Sequence, residues 1–164
     1  MRIDSDLYEL AERLGQALLQ RQQLLATAES CTGGLVAGAI TAVAGSSAWF
    51  ERGFVTYTNE AKTELLGLPR QTLDTFGAVS IQTAEGMSQG ALAFSRAQWA
   101  VAVTGIAGPG GGSAEKPVGL VHFAAAKRGG NEIAREMRFG DIGRSAVRER
   151  AVLVALEMLA EVAG

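Results

Sequence analysis

The side chains best suited to chemistry begin at Ala28-Glu-Ser-Cys-Thr-Gly-Gly34, where Ser30 stands between a short apolar run and two glycines. A serine between a buried strand and a glycine-rich helix start lies beside unpaired backbone N–H groups and the positive end of a helix dipole. Those donors can hold an oxyanion formed when Ser30 attacks a carbonyl. The logic is that of a nucleophile elbow, although G-x-S-x-G is absent. The competing reading is an N-capping hydroxyl followed by glycines that ease packing, and taken alone the segment fits that commoner role as well. Cys31, a thiol beside the same helix start, is either a small buried residue or a rival nucleophile.

A serine requires a base. The chain has one histidine, His122, so no metal site can be built from several imidazoles, and a Ser-His-Asp triad would depend on His122 alone. His122 lies in the apolar run Val121-His-Phe123, where a satisfied structural histidine is the better reading. Lysine is then the natural activator. Lys62 falls in the first turn of a helix that Asn59 is expected to cap, where the dipole disfavours a cation and burial would lower its pKa further. Tyr57, just upstream, can share a hydrogen bond with such a lysine. Against this stands an exposed Lys62 paired with Glu60 or Glu64.

Two further features concern ligand binding. Gly105-Ile-Ala-Gly-Pro-Gly-Gly-Gly112 holds five glycines in eight residues. It is neither a Walker A loop nor a dinucleotide-binding fingerprint, because no Gly-Lys-Ser/Thr and no helix follow. It can bring backbone N–H groups close to an anion, or serve as a lid. Arg144 precedes the last helix, where it can meet a phosphate or carboxylate; Arg148 and Arg150 read as solvated surface charge. Trp49 and Phe50 are either core or a stacking surface for a flat cation.

The elements that must position these groups follow from periodicity. Leu7, Leu10, Ala11, Leu14, Ala17 and Leu18 mark a helix over 6–20, and apolar runs predict strands at 24–28, 54–57, 99–103 and 118–126. Helices are expected at 35–40, 60–66 (stopped by Gly67 and Pro69), 82–96 and 144–161, with Gly129-Gly130 turning a hairpin into 132–139. The alternation predicts a three-layer α/β/α fold, a mixed sheet with helices on both faces, as one domain over 1–164. In such sheets ligands gather beyond the carboxyl ends of parallel strands, and the runs ending near Ser30 and Thr104 could open on one crevice.

Composition narrows the function classes. The chain has 164 residues, net charge −2 and pI about 5.5, which leaves no global basic footprint for nucleic acid. The lone cysteine excludes an intramolecular disulfide and fits a reducing compartment. The start lacks a signal-peptide layout, and no apolar stretch is long enough to span a bilayer. A cytoplasmic protein with a small-molecule substrate, and without nucleic-acid or membrane partners, is expected.

Several long stretches together go further. Thr27–Gly34, Ala44–Lys62, Gly77–Ser80 and Val103–Gly112 with Lys116–Gly119 resemble the CinA C-terminal-domain family over roughly residues 6–160, a family that includes stand-alone nicotinamide-nucleotide amidases. The resemblance implies hydrolysis of the carboxamide of nicotinamide mononucleotide to nicotinic acid mononucleotide and ammonia, without metal or cofactor. It makes Ser30 the nucleophile, with Ser47 as the alternative hydroxyl, and Lys62 the base. Tyr57 joins the catalytic set as an ancillary hydrogen-bonding group. Thr32, Gly33, Gly34, Ser47, Thr104, Gly105 and Arg144 hold the oxyanion or substrate. A homodimer is implied by resemblance alone, and the nucleotide-processing domain of longer members is lacking. Two other classes compete: a non-catalytic nucleotide-binding or regulatory module, which the joint presence of Ser30, Tyr57 and Lys62 disfavours, and a nucleic-acid-associated protein, which the acidic pI disfavours.

Overall fold

The computed structural model describes residues 1–163. Five strands, β1 (Leu25–Glu29), β2 (Phe50–Val55), β3 (Trp99–Gly105), β4 (Leu120–Lys127) and β5 (Glu132–Arg138), form one sheet in the order β2-β1-β3-β4-β5. β1 runs parallel to both β2 and β3, while β3, β4 and β5 pair antiparallel. The helices are α1 (Ser5–Gln20), α2 (Leu35–Thr41), α3 (Asn59–Leu66), α4 (Arg70–Phe76), α5 (Ile81–Ala93) and α6 (Arg144–Ala163). The expected α/β architecture with a mixed sheet is therefore present.

The strand period of two separates two cores. Leu25, Val101, Val103, Val121, Phe123 and Ala125 pack with the apolar faces of α1, α2 and α6. Ala26, Ala28, Ala100, Ala102 and Ala126 meet Leu66 of α3 and Met87, Ala91 and Leu92 of α5. That second face is nearly all alanine, so α5 sits close to the sheet and α3 sits close to α5. Gly90 sets the second approach: a Cβ there would stand 2.1 Å from the Leu66 carbonyl oxygen and 2.8 Å from Leu66 Cβ.

Gly90→Ala is therefore expected to cost about 1–3 kcal/mol by overpacking. Gly86→Ala meets only the flexible tip of Leu68 at 2.1 Å and should cost less. Thermal melts on both variants check this; equal losses at the two positions would refute the seating of α3 on Gly90.

Three local expectations are corrected. β2 covers Phe50–Val55 and not 54–57; it is the sheet edge, so Glu51, Arg52 and Gly53 interrupt the apolar alternation that would have marked it. Thr58, not Asn59, caps α3, its hydroxyl accepting from Ala61 N at 3.1 Å. The segment after Gly67 and Pro69 is not merely a stop, because Pro69 also starts α4.

Candidate active site

The site lies where three parallel strands end. β1 occupies the middle; the chain leaves it through α2 to β2 on one side and then passes from β2 through α3–α5, across β1, to β3 on the other. The helix after β1 packs on one face and those after β2 on the other, so the chain diverges at the carboxyl ends of β1 and β2 and leaves a crevice there. Ser30 follows β1, Thr56 and Tyr57 follow β2, and Thr104 and Gly105 end β3. The Ser30 amide donates to Val103 O at 2.9 Å, and Thr56 N donates to Glu29 O at 2.9 Å, which stitches the three strand ends together. The resulting cleft of about 260 Å³ is lined by Ser30, Tyr57, Lys62, Thr104 and Arg144, with Gly105–Gly108 along one wall.

At its floor, Lys62 Nζ lies 3.0 Å from Ser30 Oγ, 3.0 Å from Thr56 O and 3.3 Å from Tyr57 O. Lys62 is 1% exposed and forms no ion pair with Glu60 or Glu64, so the surface-lysine alternative fails. Burial pushes its pKa below the ordinary lysine value. A neutral amine has two N–H groups and one lone pair. Its two hydrogens match the two carbonyls, which leaves the lone pair for the Ser30 hydroxyl proton. When Lys62 is protonated, the same contact reverses and Nζ donates to Oγ. The arrangement can therefore remove a proton from Ser30 and return it.

Around this pair, the other expected residues sort into those at the cleft and those away from it. Arg144 Nη2 donates to Tyr57 Oη at 2.6 Å and Nη1 donates to Gly108 O at 2.8 Å. The tyrosine thus meets Lys62 through its main-chain carbonyl, and its phenol belongs to Arg144. Thr104 Oγ1 donates to Ala78 O at 2.7 Å, tying the end of β3 to the segment before α5. Thr32, by contrast, is fully buried, its hydroxyl donating to Glu29 Oε1 at 2.6 Å. Gly33 N donates to Ser30 O at 3.0 Å, and Gly34 caps α2 with φ 105°. Cys31, not these three, lines the cleft beside Ser30, and its amide makes no hydrogen bond to another described residue.

Ser47 lies outside the cleft. It is exposed, in the 3-10 turn Ser46–Ala48 that precedes β2, at the end of the parallel strands opposite Ser30. Trp49 and Phe50 share that end. Trp49 is core, with its ring 2.4 Å from where a Cβ on Gly15 would stand. Burial pushes the Cys31 thiol up to about 12, which keeps it protonated and weakens it as a rival nucleophile. His122 is buried across from Thr104 on the neighbouring strand, with Nε2 3.7 Å from Glu136. Its Nδ1 has no hydrogen-bond partner among the described residues, so it is a structural histidine but not a satisfied one.

Two residues of the site escaped sequence reasoning, Glu29 and Arg148. Glu29 offered a signal, an acid at the end of a strand otherwise made of Leu, Ala and Thr. Arg148 offered none, because its partners are 117 and 116 residues away.

Comparison with known proteins places the chain in a family. The model of the CinA C-terminal domain matches residues 7–163. The chain is 55% identical over 157 residues to the nicotinamide-nucleotide amidohydrolase PncC of Escherichia coli K12, covering 95% of this chain and 94% of that one. It is 51% identical over 150 residues to the Pseudomonas putida protein of the same name, covering 92% of each. Among solved structures, the competence/damage inducible protein CihA of Agrobacterium tumefaciens superposes with a TM-score of 0.96 at 59% identity, covering 98% of both chains. With the matched family model running from the first turn of α1 to the end of α6, the chain belongs to the CinA C-terminal domain family.

Proposed function

We propose that this protein is an amidohydrolase that converts nicotinamide mononucleotide to nicotinic acid mononucleotide and ammonia, with Ser30 as nucleophile and Lys62 as its base. One observation carries the mechanism: a serine hydroxyl 3.0 Å from a lysine amine that burial holds toward its neutral form. The names of the relatives, nicotinamide-nucleotide amidohydrolases similar over nearly their whole length, support the substrate.

Lys62 takes the Ser30 proton as Oγ bonds to the carboxamide carbon, and the carbonyl oxygen becomes an oxyanion beside the Cys31 amide, which donates to no other described residue. The C–N bond then breaks, and the Lys62 proton passes to the departing nitrogen, which leaves as ammonia. Water attacks the resulting ester, Lys62 takes its proton, and Ser30 is released with that proton returned. The pyridinium would lie against Tyr57, which is 55% exposed at the cleft. The phosphate would meet Arg144 and the amides of Ala107, Gly108, Gly110 and Gly111, which donate to no other described residue. No helix of the described residues is long and apolar enough to cross a membrane, and a single buried thiol suits the cytoplasm.

Ammonia release from nicotinamide mononucleotide, compared with nicotinamide and its riboside, tests the reading. Turnover of the nucleotide above the other two is expected; wild-type protein that binds it and releases no ammonia would indicate a binding module instead. Arg144→Ala should raise KM for the nucleotide about tenfold or more, from loss of charge-assisted hydrogen bonds of about 1.5–3 kcal/mol, while leaving turnover of the riboside little changed. Steady-state kinetics on the two substrates decide it, and equal loss on both would remove Arg144 from the phosphate.

A further inference from the structure

Two charged side chains hold the Ser30 turn, each by a different kind of backbone group. Glu29, 1% exposed, accepts from Thr32 Oγ1 at 2.6 Å and from the α2 amides of Val36 at 2.8 Å and Ala37 at 3.1 Å. The amides at the start of α2 are therefore already spent on a carboxylate of the protein itself. Arg148, from α6, takes the carbonyls: Nε donates to Cys31 O at 3.1 Å and Nη2 to Thr32 O at 3.4 Å. Gly33, at φ +57°, makes room for it, since a Cβ there would lie 3.3 Å from Arg148 Nη2.

With Ser30 O accepting from Gly33 N at 3.0 Å and Thr32 O also accepting from Leu35 N at 2.9 Å, every carbonyl from Ser30 to Thr32 is occupied. Arg148 is the only described partner of the Cys31 carbonyl. In a planar trans peptide the C=O and N–H point in opposite directions, so Gly33 N, through Ser30 O, aims the Cys31 amide, and Arg148 fixes the next plane, Cys31–Thr32. Without the guanidinium, the Cys31–Thr32 peptide plane can rotate and bring a carbonyl oxygen toward the cleft. An oxygen there would repel the negative charge that forms as Ser30 attacks.

We infer that Arg148 is a positioning residue for this hydrolysis: it holds the Cys31 and Thr32 carbonyls toward α6, so that no carbonyl oxygen turns in beside the Cys31 amide where the oxyanion forms. The inference rests on Ser30 being the nucleophile. It assigns to Arg148 a contribution to the transition state, without contact to substrate.

Arg148→Met keeps the aliphatic stem and removes the guanidinium. Its kcat should fall about tenfold to a hundredfold, below the roughly 10²–10³ lost with an entire oxyanion donor. KM should stay within about twofold, the signature of an interaction made mainly in the transition state. The acid limb of the pH profile, which reports Lys62, should not move. Arg148→Lys should recover part of kcat, and millimolar guanidinium should recover part of it in Arg148→Ala, neither of which a loss of folding would allow. Unchanged kcat in Arg148→Met, alongside an inactive Ser30→Ala, overturns the inference and leaves the nucleophile standing. A loss confined to KM, or one that tracks thermal stability without rescue, overturns it too. An active Ser30→Ala removes the nucleophile itself, and the inference with it.

Discussion

Ser30→Ala is expected to release ammonia from nicotinamide mononucleotide at least about 10³-fold more slowly than the wild type, the scale on which such catalytic units fail when broken. The loss should be this large because nothing in the cleft can replace the hydroxyl. The Cys31 thiol is held protonated by burial, up to about 12, and Ser47 lies at the other end of the strands. Folding should be nearly untouched, since the substitution removes one hydrogen bond, worth about 1 kcal/mol. Rapid-quench trapping with hydroxylamine adds an independent reading: the acyl-enzyme of the wild type should yield the hydroxamate, and the variant should yield none. An alanine variant with near-wild-type turnover would transfer the nucleophile to Cys31 or Ser47.

Lys62→Met should be as damaging to activity, and it carries a signature in pH. Only the neutral amine can accept the Ser30 proton, so wild-type kcat/KM should climb with pH as Lys62 deprotonates. That limb should lie below the ordinary lysine value of about 10.4, because burial disfavours the cation. The sign for stability follows from proton counting. Between the lowered folded pKa and the unfolded one, the unfolded chain carries a proton on Lys62 that the folded chain lacks. Stability of the wild type therefore rises with pH across that window, and below it the buried charge is a cost. Lys62→Met has no such group, so the stability difference between the two should shift in favour of the wild type as pH increases. Urea titrations over a pH series measure this; a difference independent of pH would mean that Lys62 has the same pKa folded and unfolded.

Much of this architecture was legible because the relevant signals are local. The apolar stripe of α1, the alanine and valine strands and the glycines at several turns all act over a few residues, so period and punctuation disclosed them. Ser30 was visible for the same reason, and Lys62 followed once a single histidine left few bases to choose from. What stayed hidden was either marginal or distant. β2 is an edge strand whose pairing to β1 comes from backbone groups, which leave no pattern in Glu51-Arg52-Gly53. Ser47 shares a motif with Tyr57 and Lys62, yet β2 lies between them in the chain and carries them to opposite ends of the sheet. Arg148 looked like surface charge because its carbonyl partners belong to a turn more than a hundred residues earlier.

Lys62 is gripped by the main-chain oxygens of Thr56 and Tyr57, while the Tyr57 ring reaches outward to Arg144. Those oxygens are present whatever side chain stands at either position. In the proposed mechanism, chemistry and recognition are thereby carried by different atoms of the same residue. Position 57 offers a handle for redesign: a library there can retune which amide enters the cleft while the proton-transfer apparatus beneath it is inherited unchanged.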